Sequence, residues 1–325
     1  MKYFTLFLLI LGVFTLAITI GSVNIPLGDF FNVLIRSENV SRVYSVIVWE
    51  LRMPRVITAF LVGAALSVSG AVMQSVLRNP LASSFTLGVS SGASFGAAMV
   101  IFIGISSLFM LPFFGFIFSI GTIVLVVIFS KSIDGRMENN TIILVGMVLS
   151  LFINSIVTLM MALQREYMQR LIFWQMGSFA DRNWTTVFIL SPIIIIGCLF
   201  IFKYSRELDI MTFGEEQAQL MGVNLSRVKW ILLLLSAALT GSAIAFVGII
   251  GFVDLVSPHI VRRVFGSNHR IVIPLSAVVG GIFMILCDLI ARTVVPPGEL
   301  PVGVVSALIG APFFAYVFFN KRKIV

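Results

Sequence analysis

Residues 206–229 read RELDIMTFGEEQAQLMGVNLSRVK and lie between two long apolar runs, Val187–Phe202 and Trp230–Ile250. Hydrocarbon cannot accommodate so many charges, because each would cost roughly 2.5–3.5 kcal/mol at the centre of a bilayer. The segment, which we call the island, is therefore expected in water on one side of a membrane. Its middle part, Glu215–Gly222, is predicted to be a short helix that ends at Gly222. The island is either a connecting loop or a docking surface for a soluble partner.

The composition is that of a membrane protein. Of 325 residues, 59% are hydrophobic and 11% are charged, whereas about 25% of the residues of a soluble domain are charged. The excess of apolar residues has to face lipid, which predicts an integral membrane protein. The long apolar runs described below predict that it is all-α. Cys198 and Cys287 lie inside apolar runs, which favours packed thiols over a disulfide or a metal site. The net charge of +8 is assigned to basic residues at membrane flanks rather than to nucleic-acid binding.

Nine apolar runs are candidates to cross a bilayer, since about 20 helical residues span a hydrocarbon core of about 30 Å. They are Tyr3–Ile20, Val56–Val76, Phe85–Ile103, Leu108–Phe129, Ile142–Leu163, Val187–Phe202, Trp230–Ile250, Ile271–Ala291 and Val302–Phe319. The first run has no convincing signal-peptidase site after it, so we expect it to be retained as the first span.

The basic residues predict the topology. If Lys2 is cytoplasmic and each run crosses once, the island is cytoplasmic too. The same side then holds Arg78, Lys131–Arg136 and Lys203. Nine crossings would leave the basic tail Lys321–Lys323 outside, against the positive-inside tendency. A tenth crossing at Phe252–Val264, short and broken at Ser257-Pro258, places all six lysines inside. Both termini are then cytoplasmic, and the chain has about ten transmembrane helices.

Three arginines lie at the outer ends of the spans. Arg52 and Arg55 flank Pro54 at the start of the second span, are one turn apart and are expected to point outward together. Arg292 ends the run Ile271–Ala291 on the same side. The arginines either hold their charged ends in interfacial water or bind the carboxylates of an acidic external partner. The outer side has no lysine, which would serve the first role equally well.

Two acids and one histidine lie within or near the apolar runs. Asp288 precedes Arg292 by one helical turn, so an ion pair between them is predicted. Asp254 is either a buried functional acid or an acid in water at the outer interface, and we favour the second interpretation. His259 follows Pro258 in the interrupted crossing. Because it has no Cys, Asp or Glu at ligand spacing, a structural role is expected, and no metal site is predicted.

Several motifs of the chain resemble the permeases of the FecCD family of ABC importers, which move iron–siderophore complexes, haem or cobalamin. The similar stretches, in order, are LRMPRVITAFLVGAALSVSGAVMQSVLRNPLA (51–82), LGVSSGASFG (87–96), FWQMGS (173–178), GEEQAQLMGV (214–223), LVSPHI (255–260) and ELPVG (299–303). They cover nearly the whole chain. In this sequence Asp254 stands where the family would be expected to have glycine.

The resemblance implies a type II ABC importer permease with a single transmembrane domain over residues 1–325. In such permeases the island, here about Leu208–Val223, forms two coupling helices that enter a cleft of the ATPase. The implied coupling residues are Glu215, Glu216, Ala218, Leu220 and Gly222. Three of them fit the spacing E-x-A-x-x-x-G, although Gln217 replaces the usual second alanine.

The resemblance also assigns residues at the two ends of the path. The positions matching the arginines that bind glutamates of a substrate-binding protein are Arg52, Arg55 and Arg292. The turn before the fifth span would form the cytoplasmic gate, with Asn139, Asn140 and Thr141. The fifth and tenth spans would line most of the path.

The chain has no G-x-x-x-x-G-K-[ST] phosphate loop, so it is not expected to bind ATP in the usual way. The resemblance implies a permease that is not itself an enzyme and binds no cofactor. ATP and Mg would be bound by two separate ATPase subunits. The further partners implied are a second permease, identical or similar, and an extracellular or periplasmic binding protein. The expected substrate is a ferric siderophore, with haem or cobalamin as the alternative. A transporter driven by an ion gradient is a rival class, for which few deep ionisable residues are present.

Overall fold

The computed structural model describes residues 2–35, 41–105, 109–135 and 137–320. These residues form helices and connecting segments, and no strand occurs among them. The α-helices are α1 Lys2–Thr19, α2 Leu27–Leu34, α3 Arg42–Val46, α4 Met53–Val76, α5 Val89–Ile103, α6 Met110–Asp134, α7 Asn139–Leu163, α8 Arg165–Gln175, α9 Trp184–Lys203, α10 Ser205–Thr212, α11 Glu215–Leu220, α12 Leu225–Val247, α13 Val253–Phe265, α14 His269–Thr293 and α15 Val302–Asn320. The predicted all-α fold is confirmed.

Each of the ten predicted crossings corresponds to one of these helices. Within the described residues, seven helices are long and apolar enough to cross a membrane alone: α1, α4 with the helical turns before it, α6, α7, α9, α12 and α14. The apolar helices α5 and α15 are shorter. With 13 residues, α13 is roughly 20 Å long and covers only part of a hydrocarbon core of about 30 Å.

The tenth crossing differs from the prediction in where it is interrupted. Helix α13 continues through Pro258, so the expected break at Ser257-Pro258 is wrong. The irregular segment lies before the helix, between Val247 and Val253, where Phe252 adopts a left-handed backbone with φ of +69°. A proline in the second turn removes one backbone donor but leaves the following turns intact.

Helix α4 is the centre of the bundle and is buried along nearly its whole length. It contacts α9, α12, α13 and α14. Small residues permit this approach, because a Cβ on Gly63 would lie 2.2 Å from the Gly280 carbonyl oxygen, and one on Gly70 would lie 2.0 Å from the Asp254 carbonyl oxygen. Close backbone contact of this kind is the usual basis of helix association in membranes.

The molecule has two ends, separated by the length of α4. The arginine end carries Arg52 and the start of α4, and the island end carries residues 206–229. The Lys2 ammonium donates to the Val264 carbonyl at 2.8 Å, which places the start of α1 beside the end of α13. Of the basic residues used in the topology, Arg136 and the tail Lys321–Lys323 lie outside the described residues.

A π-helical stretch at Ile47–Arg52, which the sequence did not predict, precedes α4. The Met53 N–H bonds back to the Val48 carbonyl, five residues earlier, and Pro54 has no N–H to give. The wider turn changes the direction in which side chains leave the helix. Arg52 is the last residue of the stretch.

Candidate functional site

At the arginine end, Arg52 and Arg292 close the last turn of α1. The Arg52 guanidinium donates to the carbonyls of Ile18 at 2.6 Å, Thr19 at 2.9 Å and Val23 at 2.5 Å. Arg292 donates to the Ala17 carbonyl. The last carbonyls of a helix have no partner within the helix, and cations are favourable beside them. Both arginines therefore serve the fold as caps.

The expectation that Arg52 points outward with Arg55 is wrong. Only 6% of the Arg52 surface is exposed, and only 8% of that of Arg292. Arg52 is the last residue of the π-helical stretch before α4, and its guanidinium lies against the end of α1, where the carbonyls replace water around it. The two caps and Arg55 nevertheless line one cavity of about 430 Å³ at this end, together with Glu299.

Arg55 is the centre of an ion-pair cluster. Its guanidinium binds the Asp288 carboxylate at 2.7 Å and the Glu299 carboxylate at 2.8 Å. Asp288 also lies 3.6 Å from Arg292, one turn along α14, which confirms the predicted pair. The hydrogen bond from Arg55 lowers the pKa of Glu299, so this acid stays ionised further into the acidic range. Asp288 is buried, whereas the Glu299 side chain is 38% exposed.

The island forms two short helices, α10 and α11, which agrees with the fold that the resemblance implied. Helix α11 stops where predicted: Gly222 has φ of +85°, its N–H bonds the Gln219 carbonyl, and the Val223 N–H bonds the Ala218 carbonyl. These two bonds form a Schellman ending, which needs a left-handed residue at its turn. Among the predicted coupling residues, Ala218 is buried, Glu215 is partly buried, and Glu216, Leu220 and Gly222 are exposed.

Large apolar side chains of the island are exposed. Leu220 is 89% exposed, Phe213 71% and Met221 62%. They lie in a segment rich in charged residues, so they are not expected to contact lipid. Large apolar side chains exposed among polar residues are typical of a protein–protein contact.

The rest of the island is fixed firmly to the bundle. Asp209 of α10 accepts from the His269 backbone N–H at 2.9 Å and lies 2.6 Å from His269 Nδ1, at the start of α14. His269 Nε2 lies 2.6 Å from the Ser75 hydroxyl of α4. Nothing in the spacing of Asp209 and His269 along the chain indicates that they meet, so these contacts could not be predicted from the sequence.

The predicted gate residues lie at the beginning of α7 rather than in the turn before it. Asn139 and Asn140 face Glu216 and Gln217 of α11 across a groove of about 1000 Å³. Thr141 follows in the same helical turn. The structure therefore brings two predicted gate residues, Asn139 and Asn140, and two predicted coupling residues, Glu215 and Glu216, to one groove at the island end.

Helix α7 also carries polar side chains on its exposed face. Asn154, Ser155 and Thr158 are all exposed, well inside a 25-residue helix. The two hydroxyls bond back to carbonyls one turn earlier, which hides part of their polarity, but the Asn154 amide is exposed. Polar groups at this depth are expected to face protein or a water-filled path rather than lipid.

Asp254 is not in water at an outer interface, so that interpretation is wrong. It is 2% exposed, and its backbone carbonyl accepts from the Gln74 amide at 2.9 Å, near the island end of α4. The acid lies in the first turn of α13, where the helix dipole favours a negative charge. Cys198 and Cys287 are free thiols, as predicted.

The profile of the FecCD transport family matches residues 8–320. An ABC transporter permease protein of Bacillus subtilis, YvrB, is 39% identical over 95% of this chain and 90% of its own length. The molybdate import system permease protein MolB of Haemophilus influenzae is 33% identical over 98% and 95%. The Fe(3+)-citrate permease protein YfmE of Bacillus subtilis is 36% identical over 86% and 84%.

A solved structure described as an inward-facing conformation of a "metal-chelate type ABC transporter" superposes with a TM-score of 0.87. Its sequence is 32% identical, and the match covers 98% of each chain. A permease of the FecCD transport family is a transport subunit and not a catalytic enzyme, and it is embedded in a membrane by several helices. The chain belongs to the FecCD transport family, and its fold is that of a type II ABC importer permease.

Proposed function

We propose that this chain forms half of the path of a binding-protein-dependent importer that carries a ferric siderophore across the cytoplasmic membrane. The observation that carries the proposal is the exposure of three large apolar side chains on the island, Phe213, Leu220 and Met221. The chain has no phosphate loop, so the energy has to come from another subunit, and these side chains offer contacts on which a soluble ATPase can dock.

Docking on the island would couple ATP binding to movement of the bundle. The exposed residues Glu216, Leu220 and Gly222 would contact the ATPase, while Ala218 and Glu215 would hold α11 against the bundle. Two ATPases would bind ATP and Mg, and their closure would shift the equilibrium between two conformations of the permease pair. The gate residues Asn139, Asn140 and Thr141 would respond at the same groove.

Three exposed polar side chains within α7 support pairing with a second permease. Asn154, Ser155 and Thr158 would face the axis between the two permeases, so that the α7 helices line the path together with the α15 helices. All three side chains are neutral. A neutral path suits a bulky chelate, which needs room and weak contacts if it is to be released.

At the arginine end, Arg55 is the residue that we propose for docking of the binding protein. Its present partner Glu299 is partly exposed, so an incoming carboxylate can replace it. Arg52 and Arg292 contribute indirectly, because they hold the end of α1 beside the same cavity. In this proposal the arginine end is extracellular or periplasmic, and the island and both termini are cytoplasmic.

The cargo is proposed to be a ferric siderophore, and haem or cobalamin is the alternative. The Fe(3+)-citrate permease among the relatives supports an iron chelate. The molybdate permease, which is 33% identical, requires that an oxyanion be tested beside the chelates. Selection would be made largely by the binding protein, because the proposed path offers no charged side chain on the exposed α7 face.

Affinity purification of the chain, tagged at Val325, from native membranes in mild detergent tests the proposal. Mass spectrometry is expected to find an ATPase, one or two kinds of permease, and a lipid-anchored or secreted binding protein. Ferric siderophore, haemin, cobalamin and molybdate are then titrated into that binding protein. Recovery of the chain alone, under conditions that preserve a known importer, would reduce the island to a connecting loop.

A further inference from the structure

Lys229, in the first turns of α12, is a fully buried cation at the island end. Its ammonium donates to the Met137 carbonyl at 2.8 Å and to the Glu215 carboxylate at 2.9 Å. Glu215 begins α11, and Met137 lies in the turn between α6 and α7. One buried charge therefore joins the exposed island helix to the segment that leads into the gate.

The turn at Met137 is strained. Met137 is fully buried and has φ of +56°, a left-handed conformation that costs free energy for any residue with a side chain. Asp134 holds the turn from the other side, since its carboxylate accepts the Met137 N–H at 2.6 Å and the Glu138 N–H at 3.0 Å. The Ser226 hydroxyl adds a contact of 3.5 Å to the Met137 sulfur. Strain of this kind persists only where neighbours impose it.

The strained turn is two residues from Asn139, where α7 begins. Any change in the Met137 backbone is therefore passed to the direction of the first turn of α7. We propose that Lys229 is a positioning residue that links α11 to the gate, so that displacement of Glu215 moves the turn at Met137 and the start of α7. This inference rests on the proposed function, because it takes α11 as the site where the ATPase acts.

A buried ammonium suits such a link for a physical reason. Lys229 cannot exchange a lost partner for water without leaving its site, and an unpaired buried charge is strongly unfavourable. The Glu215 side chain is 30% exposed and is thus the partner that a docked subunit can reach. Displacement of Glu215 is therefore expected to move Lys229 and, with it, Met137. An apolar contact of similar size would not couple these residues in this way.

The test uses the importer purified with its own ATPase through a tag at Val325. A single cysteine at Glu138→Cys, in a background of Cys198→Ala and Cys287→Ala, reports access to the groove through its reaction rate with a charged maleimide. Glu138 is exposed, lines the groove and is not one of the proposed gate residues. The rate is measured with and without ATP and Mg, and ATP hydrolysis is measured in parallel.

Lys229→Met is expected to leave ATP hydrolysis within about twofold, while the ATP-dependent change in labelling falls about tenfold, as loss of a charge-assisted hydrogen bond predicts. Glu215→Gln, which keeps an acceptor but loses its charge, is expected to reduce the change about threefold. Lys203→Met is the matched control, because Lys203 is exposed at the end of α9 and outside the island.

The outcomes separate the link from the proposed function. If the Glu138→Cys protein without further substitution shows no ATP-dependent change in labelling, ATP does not change access to the gate and the proposed function is contradicted. If the background protein responds and both Lys229→Met and Glu215→Gln respond equally, the link is overturned and the pair is only a structural contact. Should Lys229→Met not assemble, Glu215→Gln decides, and an unchanged response of that variant also overturns the link.

Discussion

The two ends of the molecule use their charged residues in different ways. At the arginine end, charges that looked available to a partner are engaged within the chain, with Arg52 and Arg292 on carbonyls of α1 and Arg55 on two carboxylates. At the island end, the charged segment presents apolar side chains instead, with Leu220 the most exposed. A charged residue in the sequence therefore indicates that water, a partner protein or a polar group of the chain lies beside it. Only the burial and contacts of the side chain in the structure show which of these it is.

The largest effect is expected from the island. Leu220→Asp combined with Met221→Asp is predicted to weaken ATPase association by about a hundredfold or more, because each carboxylate would be buried without a partner at a cost of about 1–3 kcal/mol. Co-purification and titration of the separate ATPase measure the loss. Ile35→Asp, an equally drastic change of a side chain that is 75% exposed at the arginine end, is the control. Equal loss in both variants would remove the distinction between the ends.

The second effect concerns the caps. Arg52→Met is predicted to destabilise the protein by about 2–4 kcal/mol, because two carbonyls at the end of α1 and the Val23 carbonyl beyond it lose a charged donor. Thermal denaturation in detergent measures it. Arg42→Met, at an exposed position of the same end, should have little effect. A stable Arg52→Met protein that has lost only its binding partner would show that Arg52 is a docking residue after all.

A smaller and opposite effect is predicted for Glu299. Glu299→Gln weakens the internal competitor for Arg55, so the affinity for the binding protein should rise, by up to about fivefold for a partly exposed pair. Arg55→Gln should lower the same affinity. Titration of the binding protein onto the assembled importer measures both. A fall in affinity for Glu299→Gln would mean that Glu299 itself contacts the partner.

The smallest effect is the pH dependence of this pair. The pKa of Glu299 is lowered in the folded protein, so its contribution to stability is complete above the unfolded value of about 4.3 and is lost as the pH falls through the lowered folded value. The difference in thermal stability between the parent and Glu299→Gln should therefore be constant above about pH 5 and shrink at lower pH. A difference that grows on acidification would contradict the assignment.

The sequence predicted the helices better than the contacts that their side chains make. Apolar length gave the spans, and the Gly222 stop gave the end of α11, because both depend on local properties of the chain. The burial of Arg52 depends on its contacts with the end of α1, and the burial of Asp254 depends on the approach of α13 to Gly70. Neither is a local property, so spacing along the chain could not reveal them.

Part of the candidate site could be predicted from the sequence and part could not. The i,i+4 pair of Asp288 and Arg292 followed from helical geometry. Asn154 and Thr158 share the same spacing on α7, and attention to polar residues four apart could have placed them on one face. By contrast, Lys229 meets Met137 across 92 residues of chain, and only the packing of α12 beside the turn before α7 brings them together.

The most direct test of the central claim, that energy enters through the island from a separate ATPase, is transport by the reconstituted importer. Vesicles are supplied with the co-purified binding protein and its ferric siderophore, and uptake of radioactive iron is followed with and without ATP while ionophores abolish all ion gradients. The account predicts that uptake requires ATP, survives the ionophores and is lost in the Leu220→Asp, Met221→Asp variant. Uptake that proceeds without ATP and disappears with the gradients would contradict it.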